Sequence, residues 1–141
     1  MTVLALTLPL ARSSPLRMSR RDFAVDADDD LTLNLSIVAD DTPGAAATSL
    51  AAANTAVSLL LWYAPQRWDY GWWPTALGGD TLYTATGTIT DAAGGLVSVV
   101  LARDTGDLWP RRMGYTLQLD LGGTARSTLA WGALHMPRVY A

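Results

Sequence analysis

The stretch RMGYTLQLDLGGTARSTLAWGALHM, Arg112 to Met136, decides the fold. Two alternating runs flank a glycine pair, which is the signature of a β-hairpin. In the first run Tyr115, Leu117, Leu119 and Leu121 share one face, while Thr116, Gln118 and Asp120 share the other. Such a strand has one dry and one wet side. A two-residue loop at Gly122–Gly123 sets Arg126 opposite Leu119 on the dry face. A three-residue loop, Gly122 to Thr124, pairs Leu117 with Leu129, Tyr115 with Trp131 and Asp120 with Arg126. A slip of one residue turns every side chain over, so the three-residue register is expected, with Gly in a left-handed bulge position. The Asp120–Arg126 pair adds only ~0.2–1 kcal/mol. Gly132 interrupts the alternation before Leu134 and Met136, and reads as a second bulge or as a site of close backbone approach.

The same grammar extends upstream. Phe23–Val25 is a short strand candidate, followed by the acidic turn Asp26–Asp30. Leu31–Val38 alternates, with Leu31, Leu33, Leu35 and Ile37 inward and Thr32, Asn34 and Ser36 outward. Asp40–Gly44, Asp-Asp-Thr-Pro-Gly, is a turn. Ala45–Asn54 is Ala-rich and is expected to make one or two helical turns. Ala56–Tyr63 is apolar at nearly every position, as a central strand or one buried on both faces is. Leu82–Thr90 alternates with Tyr83, Ala85, Gly87 and Ile89 on one side. Asp91–Gly95 is a turn, Leu96–Leu101 a strand and Asp104–Arg111 a corner connection. About seven strands punctuated by turns make an all-β, immunoglobulin-like β-sandwich the expected fold, with a jelly roll as the alternative. No internal repeat is visible. The expected division is an extended N-terminal arm over residues 1–21, the sandwich over 22–137 and a tail over 138–141.

The first 21 residues read as an arm because Pro9 and Pro15 resist both helix and central strand. Leu4, Leu6 and Leu8 are too apolar to stay solvated, and Arg12, Arg17, Arg20 and Arg21 follow them. The arm therefore either docks on a neighbour or folds back as a first edge strand of its own domain. Val3–Ala11 has no basic segment before it and is interrupted by Pro9, so a cleaved signal peptide is not expected.

Composition sets bounds. The chain has 141 residues, 50% of them hydrophobic, which is enough for one domain with a core. It has no Cys, so disulfides, thiol chemistry and zinc–thiolate sites are excluded, as suits a reducing cytosol. All 10 basic residues are Arg and all 13 acidic residues are Asp. Glu and Lys, the usual residues of exposed helices, are missing, and Asp is a poor helix former. A GC-rich genome would also favour Arg, Ala and Gly. The net charge of −3 argues against nucleic acid as the partner. No apolar run approaches the ~20 residues of a membrane span.

Three segments resemble the N-terminal domain of phage baseplate upper proteins. They are Asp22–Val38 with the Asp-Asp-Thr-Pro-Gly turn after it, Thr86–Leu101 containing GTITDAAGGLVSVVL, and Tyr115–Leu134 with Tyr-x-Leu-x-Leu, a glycine turn and Thr-Leu-x-x-Gly-x-Leu. Together they cover about two fifths of the chain, and their motifs are turn and strand patterns that other immunoglobulin-like domains share. The resemblance implies a non-enzymatic virion protein that joins other tail components, assembled in the host cytoplasm. Members of that family continue into a C-terminal region carrying receptor-binding trimers, whereas this sequence ends at the last resembling strand. The Ala64–Asp80 insertion is also outside the shared pattern. A capsid decoration (cement) protein and a tail or baseplate accessory are both expected places, with major capsid or tail components as partners and self-association expected.

The candidate contact residues lie in the insertion and the arm. APQRWDYGWWPTALGGD, Ala64–Asp80, carries Trp68, Tyr70, Trp72 and Trp73, with Trp62 and Tyr63 at its edge. Trp and Tyr bury much area at low entropy cost and are favoured at interfaces, and the loop is too long for a mere connector. They serve either an intermolecular seam, together with Leu4, Leu6, Leu8, Arg12, Arg17, Arg20 and Arg21, or the sandwich core. A third reading is a sugar platform in a carbohydrate-binding module or adhesin. Asp26, Asp28, Asp29 and Asp30 suggest a Ca²⁺ loop, but Leu31 stands where an EF-hand loop needs Gly, so a solvated turn is expected. His135 is the only His, and nothing around it in sequence supplies an oriented partner and a nucleophile elbow. No phosphate loop, HExxH or dinucleotide fingerprint is present. The expectation is therefore no enzyme, no metal and no cofactor.

Overall fold

The computed structural model describes residues 2–11, 20–25, 29–63, 81–102, 112–123 and 125–135. They form nine strands and, among the described residues, no helix. The strands are β1 (Thr2–Ala11), β2 (Phe23–Ala24), β3 (Leu31–Asp40), β4 (Ala56–Tyr63), β5 (Thr81–Thr86), β6 (Thr88–Asp91), β7 (Leu96–Leu101), β8 (Arg112–Leu121) and β9 (Ala125–His135). A four-stranded sheet in the order β1-β3-β7-β6 faces a five-stranded sheet in the order β2-β9-β8-β4-β5. Lettered in the immunoglobulin manner these are A-B-E-D and G-F-C-C′, with β2 added beside G. The fold is the expected all-β sandwich. It is not purely antiparallel, because β1 runs parallel to β3 and β2 parallel to β9.

The alternating strands place their apolar sets between the layers. Leu31, Leu33, Leu35 and Ile37 of β3 meet Val57, Leu59 and Leu61 of β4 and Met113, Tyr115, Leu117 and Leu119 of β8 in one buried cluster. β4 is central, flanked by β5 and β8 as its composition suggested.

Thr2–Ala11 is not an arm laid across a neighbour. It is an edge strand of the sandwich, paired with β3 from Thr2 opposite Leu31 to Ala11 opposite Asp40. Leu4, Leu6 and Leu8 turn inward beside Leu33, Leu35 and Ile37, and Leu8 is 0% exposed. The alternate-edge reading wins because the period-2 leucines match the inward set of β3 residue for residue, and each leucine fully buried there contributes ~1.5–3 kcal/mol.

The strand count exceeds seven because β1 is a strand and because Leu82–Thr90 is two strands. The chain leaves the five-stranded sheet after Thr86 and enters the other at Thr88. Gly87 is the corner. Its N–H donates to the Val57 carbonyl at 2.7 Å. A Cβ there would lie 2.7 Å from Val97 Cγ1. Alternation survives the corner because Ala85 and Ile89 both face the shared core.

The expected helical turns in 45–54 are absent. β3 outruns β7, whose pairing ends at Ser36 opposite Leu96, so backbone groups of Ile37 to Ala39 need other partners. The Ala39 N–H donates to the Ala46 carbonyl at 2.8 Å, and the Thr48 N–H donates to the Ile37 carbonyl at 2.9 Å. Leu50 is buried, and its N–H reaches the Ala92 carbonyl. Tertiary pairing thus overrides the helical preference of alanine. The turn before this segment is capped by Asp40. The Thr42 hydroxyl and then the Thr42 N–H donate to its carboxylate, which holds it below the usual carboxylate range.

The β8–β9 hairpin has the expected three-residue connection, with Leu121 opposite Ala125 and Asp120 opposite Arg126. Gly122 and Gly123 have φ of +69° and +77°. Further in, the register departs from expectation. A β-bulge sets Leu117 opposite Ala130, leaving Leu129 as the extra residue, so Tyr115 faces Gly132 and Thr116 faces Trp131. Gly132 is therefore the site of close approach and not the bulge.

Candidate functional site

Gly132 is where the N-terminal segment docks. A Cβ on it would lie 2.2 Å from the carbonyl oxygen of Arg21. The missing side chain lets residues 20–25 lie along β9 as a strap. The Arg21 N–H donates to the Trp131 carbonyl at 2.9 Å, and the Val25 N–H donates to the His135 carbonyl at 2.8 Å. The Ala133 N–H donates to Asp22 Oδ1 at 2.9 Å. The Tyr115 hydroxyl donates to the Arg21 carbonyl, and the Phe23 ring stacks on Tyr115 with centroids 5.2 Å apart. Arg20 adds an ion pair to Asp22 at 3.2 Å, and its guanidinium lies 5.4 Å from the Trp131 ring centre. Arg21 Nη2 donates to the Thr7 carbonyl, which joins the strap to β1.

Burial pushes the Tyr115 phenol well above its ordinary value; Asp22 adds to the rise and Arg21 opposes it. The sign of the pH effect follows. With the folded value raised, the stabilisation is fully present below the unfolded phenol's pKa of 10.0 and is lost as pH rises through the folded value. Melting temperature is expected to fall above pH ~10. Tyr115→Phe should flatten that fall, at a cost near ~1 kcal/mol for the lost hydrogen bond. Thermal melts between pH 8 and pH 11.5 check both; an unchanged alkaline slope in Tyr115→Phe would refute the assignment.

A shallow cavity of about 220 Å³ opens beside the strap, lined by Asp22, Phe23, Ala133 and His135. It brings the sole His near an Asp, but Asp22 Oδ1 already accepts from Arg20 and from the Ala133 N–H. Among the described residues no three His, Asp or Glu stand together as metal ligands. Asp29 accepts from the Thr2 hydroxyl at 3.1 Å, and the Asp30 carbonyl accepts from the Thr2 N–H, so this turn pins the start of β1. Asp26 and Asp28 lie outside the described residues.

The expected contact residues separate. Leu8 belongs to the core, and Leu4 and Leu6 are partly buried against it. Arg20 and Arg21 bind groups of their own chain. Arg12, Arg17, Trp68, Tyr70, Trp72 and Trp73 lie outside the described residues.

What the sequence reading missed is the outer face of the four-stranded sheet. Val3 stands opposite Thr32, and Thr32 opposite Val100, in one row across three strands. Two rows further, Thr7, Ser36 and Leu96 line up in the same way. Ala5, Asn34 and Ser98 fill the row between them. Val3 is 51% exposed, Val100 55% and Leu96 38%. The wet side of β3 carries the expected Thr32, Asn34 and Ser36. The valines stayed hidden because the register of β1 and β7 on β3 is a long-range property.

No protein-family model matches this chain, and no curated protein does.

Proposed function

We propose that this chain is a non-enzymatic structural protein of a tailed-phage virion, a capsid decoration protein or a tail or baseplate accessory, that acts by binding other virion proteins. The observation that carries the reading is where the resembling segments fall. Residues 22–38 hold β2 and most of β3, residues 86–101 hold the Gly87 corner with β6 and β7, and residues 115–134 take in most of β8 and β9. The likeness to baseplate upper proteins thus coincides with the framework of both layers rather than with one local turn. A sandwich that leaves a row of Val, Thr and Leu side chains of one sheet face in solvent is suited to assembly.

Particles purified by density gradient from the phage or prophage encoding the chain provide the test. Mass spectrometry is expected to find the chain in particles at a copy number matching a symmetric shell or tail ring. Separated heads and tails then distinguish decoration from tail accessory. A chain that is expressed in the lysate and absent from purified particles overturns the reading.

A further inference from the structure

We propose that the cavity beside the strap is a binding site for a neutral sugar, one ring at a time. Its lining joins two elements that meet where Arg21 crosses Gly132: Asp22 and Phe23 of the strap, and Ala133 and His135 of β9. Ala133 and His135 alternate onto one face of β9, ~7 Å apart along the strand. Gly114 of β8 stands opposite Ala133, so neither strand raises a long side chain in that row. Asp22 is held by the Ala133 N–H at 2.9 Å and by Arg20 at 3.2 Å, and Phe23 by its stacking on Tyr115. The lining is therefore in place before any ligand arrives, which lowers the ordering cost of binding.

The polar groups left open select the ligand class. Both contacts of the Asp22 carboxylate fall on Oδ1, so among the described residues Oδ2 is open, and so is the His135 ring. An ionised carboxylate oxygen only accepts, whereas a neutral imidazole offers one donor and one acceptor. A hydroxyl does both. Adjacent hydroxyls of a sugar can therefore donate to Oδ2 and pair with His135 in either sense. A cation gains little, because Arg20 already neutralises Asp22, and an anion meets the carboxylate. An apolar ligand would strip water from both polar groups and replace none of their bonds. Size agrees. The cavity of about 220 Å³ has room for ~7 waters, which one sugar ring displaces and two rings exceed. It is smaller than the ~300–1,000 Å³ of sites for larger ligands, so a free monosaccharide should bind with a dissociation constant on the order of 1–10 mM.

The proposal stands apart from the virion reading, because sugar binding by the purified chain and its presence in particles can fail separately. Amide NMR titrations with glucose, galactose, mannose and N-acetylglucosamine, each to about 100 mM, provide the test. At least one sugar is expected to give saturable shifts centred on the Asp22, Ala133 and His135 amides. Arginine hydrochloride and sodium phosphate at the same concentration are expected to give none. His135→Ala should weaken the binding about fivefold or more, with far-UV circular dichroism unchanged because His135 is exposed. His135→Gln, which keeps a donor and an acceptor, should retain most of it. Four sugars without a saturable shift at these amides overturn the proposal. So does undiminished binding by His135→Ala, or saturation of the same amides by arginine or phosphate, which would assign the cavity to a charged ligand.

Discussion

Gly132→Ala is expected to lower stability by about 3–6 kcal/mol, because a Cβ there makes the closest approach of any among the described glycines. The new Cβ meets backbone, not a side-chain tip: Arg21 O at 2.2 Å and Arg21 C at 2.8 Å. Neither can rotate away, so the strap must lift. Lifting it breaks the bonds at Arg21, Asp22 and Val25, each worth ~1 kcal/mol net. It also exposes Val25, buried at 2%, and unstacks Phe23 from Tyr115. At ~3–5 °C per kcal/mol for a domain of this size, the melting temperature should drop by roughly 10–25 °C. Hydrogen exchange should report lost protection at the Arg21, Val25 and Ala133 amides first. A melting temperature within a few degrees of wild type would mean that the strap does not press on Gly132.

Leu8→Asp is the second large expectation. It removes a fully buried leucine, a loss of ~2–5 kcal/mol on truncation alone, and buries a carboxylate in an apolar core. The loss is bounded by the docking energy of β1, since the strand can detach and leave the rest folded. Limited proteolysis should therefore cut within β1 before the sandwich opens, with a melting temperature well below wild type. Ala5→Asp, on the exposed face of the same strand, should change monomer stability by no more than ~0.5 kcal/mol. Equal effects of the two substitutions would show that β1 does not bury its leucines on β3.

The contrast between those positions marks how far the fold was legible. Period-2 patterning identified the inward residues of β3, the span of β4 and the three-residue connection of the β8–β9 hairpin. Each of those is a local property. The bulge at Leu129 was not legible, because Leu129 and Ala130 are both apolar and alternation can resume on either. The Gly87 corner was hidden because the inward face keeps its phase while the chain changes sheets. The Ala-rich 45–54 segment misled because tertiary pairing outweighs alanine's small helical preference: Ala46 and Thr48 bond β3 at Ala39 and Ile37, and Leu50 bonds the distant Ala92. For the candidate site, the close approach at Gly132 was readable as an alternative, whereas its partner Arg21 was not. The neutral sheet face was invisible, since Val3 and Val100 meet only through β3.

The corner at Gly87 has a consequence for how the molecule comes apart. One uninterrupted run of chain belongs to both layers, with a single residue between them. Neither layer can be lost by itself on heating, because pulling out one draws the other's outermost ribbon with it. In the wild-type chain the two layers are therefore expected to melt as one calorimetric unit, with the calorimetric and van't Hoff enthalpies equal.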